Sequence, residues 1–175
     1  MVDQQNQTTP DTVMTRIGQV VILHHAGDRE EARHRFLQLW SEIGEHGDPL
    51  HRCTLAHYLA DTQDDPSDEL AWDLRALTAA EELTGERSHD HEHEHTLAVR
   101  ALYPSLHVNL ADDYLRLGRD GAARTHLSSA RTAATALGDD RYGDGVWAAI
   151  SRLESSLGER GADGDGGWGP PRQRP

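Results

Sequence analysis

The chain has 175 residues, enough for one domain that buries roughly two thirds of the surface its unfolded form would expose. Its 17 Lys and Arg stand against 30 Asp and Glu, a formal net charge of −13 at pH 7, so its field repels nucleic acid and anionic membrane. A lone cysteine, Cys53, excludes an internal disulfide framework, and no stretch approaches the roughly 20 apolar residues that span a bilayer.

The first ten residues are polar and expected to be disordered; with neither a basic start nor an apolar run they do not read as a signal peptide. Together with the single cysteine this predicts a cytoplasmic protein. From Asp11, the apolar residues Val13, Ile17, Val20 and Val21, then Ala32, Phe36, Leu39, Trp40 and Ile43, keep helical spacing on either side of a break at Ala26-Gly27. They predict a first helical hairpin, ended by the glycines of 44–47. Asp48-Pro49 is a helix start with an acidic cap and a first-turn proline. Leu50, Cys53, Leu55, Ala56 and Leu59 follow, and Asp64-Asp65-Pro66-Ser67 interrupts the chain before Leu70, Ala71, Leu74, Leu77, Ala80 and Leu83. This is the second hairpin.

Residues from about 86 to 103 form an insert, within which Leu97, Val99, Ala101 and Leu102 predict that a helix begins and Pro104 that it kinks or restarts. Residues Ala122 to Leu137 complete a third hairpin, and Val146, Ala149, Ile150, Leu153 and Leu157 lie on one face of a closing helix. The repeat domain is placed at 11–158; the Gly- and Pro-rich segment 159–175 is expected to be a disordered tail.

The first and third hairpins repeat one another. Leu23, Gly27, Ala32, Arg33, Phe36 and Leu39 recur 91 residues later as Tyr114, Gly118, Ala123, Arg124, Leu127 and Ala130. A large residue closes one helix, Gly permits the turn, and a small Ala lets the returning helix approach closely. Asn109-Leu110-Ala111, Tyr114, Gly118, Ala123, Leu127 and Ala130 stand where a tetratricopeptide repeat carries its Asn-Leu-Gly, Tyr, Gly, Ala, large apolar and Ala positions. The chain resembles a small tetratricopeptide-type protein, which implies an all-α short solenoid of about three hairpins with a C-terminal capping helix. The first copy is partial, since Gln19-Val20 replaces the usual Leu-Gly, and the middle unit lacks a turn glycine after Leu59.

In that family the first helix of each hairpin lines a concave groove. The resemblance therefore implies groove positions at Ile17, Val21, His24 and His25, at Cys53, His57, Ala60 and Asp61, and at Ser105, Val108, Asn109, Asp112 and Arg116. The family's carboxylate-recognising Lys and Asn set is not reproduced beyond Asn109, so capture of an acidic peptide terminus is not implied. His57 and Asp61, four apart, share a helix face, as a proton-handling pair or an ordinary surface pair would. His24-His25 at a helix end also suits the dipole there.

His89, His91, His93 and His95 alternate with Asp90, Glu92 and Glu94, the one metal-like run, and in a helix His91 and His95 would project together toward Zn, Ni or Cu. The same acids suit a solvated helix start equally well. Trp40 and Trp72 read as packing anchors. A Cys53–His57 nucleophile lacks an oxyanion hole and a third member, and no phosphate loop or Gly-x-Ser-x-Gly turn is present, so no enzyme is expected. The reading is a non-catalytic scaffold whose acidic groove takes a peptide or protein with basic residues. A second reading is a small-molecule or metal-binding protein using His57, Asp61 and Asp112 or the His89–His95 run, with enzymatic use of the former; an enclosed pocket would favour it, an open trough the first.

Overall fold

Helical spacing of the apolar residues becomes helix throughout. The computed structural model describes residues 11–85 and 93–164, with side chains at 11–84 and 101–161. Among these residues the chain forms seven helices and no strand: α1 (Thr12–His25), α2 (Arg29–Ile43), α3 (Pro49–Asp61), α4 (Pro66–Gly85), α5 (His93–Arg116), α6 (Asp120–Ala134) and α7 (Arg141–Gly164). Among the described residues no helix is long and apolar enough to cross a membrane.

Sequence punctuation sets the helix ends. The Asp11 carboxylate accepts the amides of Val13 and Met14 at 3.0 and 3.1 Å, and its second oxygen meets His51 Nε2 of α3 at 2.5 Å. Asp48 caps α3 in the same way, with Pro49 spending no amide in the first turn. The repeated glycines perform one task twice. Gly27 and Gly118 have φ of 97° and 71°. In each case the following amide reaches back five residues, Asp28 to the Leu23 carbonyl and Arg119 to that of Tyr114. This αL turn satisfies carbonyls that a helix end would otherwise leave open. The middle hairpin turns instead through Thr62–Asp65, where the Asp65 carboxylate holds the Ser67 amide at 2.8 Å.

Each helix packs on its chain neighbours, and the odd-numbered helices also touch in order, α1 on α3, α3 on α5 and α5 on α7. The backbones of α2, α4 and α6 come within close reach of chain neighbours only, among the described residues. Three apolar clusters result: one around Phe36, Ile17, Leu55 and Leu59, one around Cys53, Ala76, Ala80 and Leu106, and one around Ala123, Leu127, Ile150 and Leu153. Trp40 and Trp72 meet edge to face at 5.0 Å and tie the first two together, as packing anchors should.

Two boundaries need comment. The third unit's first helix does begin within the insert, at His93, and carries the buried Pro104 inside it; the Tyr142 hydroxyl donates to the nearby Ala101 carbonyl at 2.8 Å. At the other end α7 continues six residues past Gly158, into the segment expected to be a disordered tail. Arg160 explains part of this extension, donating to the Leu115 carbonyl at 3.0 Å and lying 3.4 Å from Asp120. The rest of that tail, 165–175, and the polar start, 1–10, lie outside the described residues.

Candidate functional site

Where α3, α4 and α5 meet, polar side chains gather on an otherwise apolar junction. His57 sits one turn before the end of α3, with Asp61 exposed four residues on. Its Nδ1 lies 3.5 Å from Asn109 Nδ2 of α5 and 3.9 Å from Asp73 Oδ1 of α4. Arg116, at the end of α5, places NH1 at 2.5 Å from Glu69, 3.7 Å from Asp113 and 4.0 Å from Asp112. His57, Asp61, Asn109, Asp112 and Arg116, expected on one surface from the sequence, thus converge around three carboxylates that were not expected there: Glu69, Asp73 and Asp113.

Asp73 and Asp113 are the unusual members. They are 0% and 1% exposed, and none of their four oxygens has a hydrogen-bond partner among the described residues. An isolated ionised carboxylate is very costly to bury, so such a group neutralises or finds a counter-charge. Burial raises Asp73, and burial with the facing Asp73 and Glu69 charges pushes Asp113 up to about 8. The Asp73 charge acts directly on Asp113, so the upward shifts belong to the pair rather than to either residue alone. Burial by itself would lower His57, but the Asp73 carboxylate and the charge of Asp61 outweigh it and the net shift is upward. The result is a histidine biased toward its charged form beside two acids biased toward their neutral forms.

The remaining candidates fall elsewhere. Cys53 is not offered to a groove: it is fully buried among Leu50, Ala56, Ala76 and Leu106, and burial pushes its thiol up to about 12, which leaves it a core residue rather than a ligand or nucleophile. Ile17 and Ala60 are core residues too. The Ser105 hydroxyl pairs with that of Tyr142, and beside it Val108, Asn109 and Val146 line a shallow depression of about 300 Å³. His24 and His25 end α1 as a tilted ring pair, His25 exposed and His24 with a buried Nδ1 that has no partner among the described residues. His91 lies outside the described residues, as does the side chain of His95. No group of three metal-ligating side chains comes together among those described.

A second histidine feature was not foreseen. His107 of α5 and His126 of α6 bring their Nδ1 atoms to 3.0 Å, flanked by the stacked rings of Tyr103 and Tyr114. One ring must donate and the other accept, so the accepting ring is neutral. Burial and the facing His126 lower His107 to about 4.

No family model, curated protein or solved structure matches this chain.

Proposed function

We propose that the chain is a short tetratricopeptide-like solenoid, three hairpins with α7 as the cap, that works as a non-catalytic module binding a peptide or protein segment rich in basic residues. Two features support the architecture: the glycine turn repeated at Gly27 and Gly118, and the odd-numbered helices touching in sequence. The observation that carries the function is the buried carboxyl pair Asp73–Asp113, backing a surface that carries Asp61, Glu69 and Asp112. Excess acid at a helix junction gains nothing for the fold, since unpartnered buried carboxyls destabilise it, whereas a cationic partner would gain charge-assisted hydrogen bonds there.

A second reading has its own support. His57, biased toward its charged form beside two acids biased toward their neutral forms, is a proton-handling arrangement, and a small cationic molecule would suit it.

Fluorescence anisotropy with labelled lysine- and arginine-rich peptides decides between groove and no groove. Wild type should bind, more weakly as salt rises, and Asp61→Lys with Asp112→Lys should abolish binding while the helical circular dichroism is kept. Equal affinity in wild type and double variant would move binding off this surface.

A further inference from the structure

We propose that the furrow between α2 and α4 is a docking site for a peptide or protein segment that inserts one aromatic side chain against Trp40 and Leu74 and sets a carboxylate, two residues along, on Arg75. The site lies on the even-numbered helices, apart from the acidic surface carried by α3 and α5, so it does not rest on the basic-partner reading.

The furrow follows from the packing. Among the described residues the backbones of α2 and α4 do not come within close reach of one another. Trp40 and Trp72 bridge the gap edge to face, with ring centroids 5.0 Å apart, and beside Trp40 a cavity of about 400 Å³ remains. Leu74 and Arg75 in its wall are both exposed, so it is entered from solvent with no movement of the backbone. It takes one large side chain, whereas a helix, about 10 Å across, does not fit. The apolar wall continues outward. Leu37 stands one turn before Trp40 on the same side of α2 and is 43% exposed, and Leu74 is 38% exposed. Two of the four large apolar side chains exposed among the described residues therefore flank this one furrow. Single exposed apolar residues are ordinary, but a contiguous group around an indole marks a contact surface.

The charges have a fixed order along the furrow. Toward the end of α4, Arg52 is spent inside the protein: Nε donates to the Gly47 carbonyl at 2.8 Å and NH1 to Glu82 at 3.3 Å, a pairing that holds Glu82 below the usual carboxylate range. Glu45 lines that same part, which therefore disfavours an anion. Arg75 stands seven residues, about 10 Å, before Glu82 on α4. Its guanidinium lies 4.7 Å over the Trp72 ring and NH1 donates to the Ala71 carbonyl at 3.1 Å, but no carboxylate meets it among the described residues. Its own helix offers none, since the residues three and four away are Ala71, Trp72, Thr78 and Ala79. A guanidinium has five N–H donors, and a carboxylate accepts two of them as a fork. The net charge of −13 repels an acidic ligand at longer range, which restricts the match to one carboxylate beside the anchor rather than an acidic run. Side chains two apart on an extended segment share a face at about 7 Å, which sets the spacing.

The test is titration of the full chain with acetyl-Gly-Phe-Gly-Asp-Gly amide, read by NMR at the indole N–H signals of its four tryptophans, which single Trp→Phe variants assign. The signals of Trp40 and Trp72 should shift and saturate with a Kd of about 1 mM, as one anchor and one ion pair allow, while those of Trp147 and Trp168 stay in place. Replacing the peptide's Phe by Ala, or its Asp by Lys, should weaken binding by about tenfold or more. Leu74→Asp should abolish it, and Arg75→Glu should reverse the preference toward the Lys peptide. Both side chains are exposed, so the circular dichroism of each variant should match wild type. Indole signals that stay in place up to about 10 mM peptide overturn the proposal. So do equal shifts by the Asp and Lys peptides, or undiminished binding in Arg75→Glu. Movement of the same two signals on dilution of the chain alone would show a second copy in the furrow and overturn the peptide as its occupant.

Discussion

Asp113 and His107 pull the pH dependence of stability in opposite directions. Asp113 keeps in the folded state, up to about pH 8, a proton that the unfolded chain surrenders near the ordinary aspartate value of 3.8. Its contribution is therefore full in acid and is lost as pH rises toward about 8. His107 is lowered to about 4 from 6.5, so the unfolded chain takes up a proton first and stability is lost as pH falls through that window. Asp113→Asn, which keeps position 113 neutral and gives Asp73 a donor, should stabilise at pH 8 by roughly 1–3 kcal/mol and flatten the alkaline decline. His107→Leu should flatten the acid side instead. Urea denaturation across pH checks both, and an unchanged alkaline slope in Asp113→Asn would mean that Asp113 is not the group whose proton is lost there. The sequence held a partial signal for these acids. Asp73 continues the apolar face of Leu70, Leu77 and Ala80, and Asp113 that of Leu106 and Leu110, so each is a charge where spacing calls for a core residue. That the two would face one another was not legible, because their pairing is made by the α4–α5 packing across the insert.

At the scale of the element, the hairpins were legible because turn chemistry is local. Gly27 and Gly118 both take positive φ, and a Cβ at either would meet nothing within 4 Å, so the cost of Ala there is conformational alone. Gly27→Ala and Gly118→Ala should each destabilise by about 1–2 kcal/mol, and by similar amounts, with helix content unchanged. Urea titration measures this; unequal losses would show that the two turns are not one motif used twice. Cys53 shows the limit of local reading. The Asp48-Pro49 start and the apolar spacing supplied its helix and the resemblance a groove position, but whether its face would meet solvent or the alanines of α4 depended on packing that composition does not encode. The length of α7 was misread for a similar reason. The glycines of 161–164 argue against helix, while Arg160 finds its carbonyl and carboxylate only in the folded molecule.

For the whole molecule, the excess of acids is a uniform stress on which the local ion pairs are superimposed. Pairs such as Arg16–Glu42 and Arg131–Glu154 are half-exposed and contribute little each, while a net charge of −13 repels itself at every distance within a Debye length. Raising salt from about 10 mM to about 150 mM, which shortens that length from about 30 Å to about 8 Å, should therefore raise the Tm. A fall instead would mean that the ion pairs outweigh the net repulsion. Screening would act on the proposed binding in the reverse sense, so conditions that favour a firmer fold should weaken any hold on a basic peptide.

Asp11 gives the chain a latch. One of its oxygens closes the first turn of α1 and the other holds His51 on α3, so the first described residue is bonded both to its own helix and to the next hairpin. A terminal helix ordinarily frays alone, its amides exchanging with solvent through small openings that leave the body intact. Here the opening of α1 at its first turn also breaks a bond to α3, so those amides exchange more nearly in step with the second hairpin. The His51 contact and the backbone amides hold the Asp11 carboxyl below its ordinary range against the opposing effect of burial, so acid undoes the latch only once that carboxyl is protonated. The stack would then come apart from its first helix, one hairpin at a time.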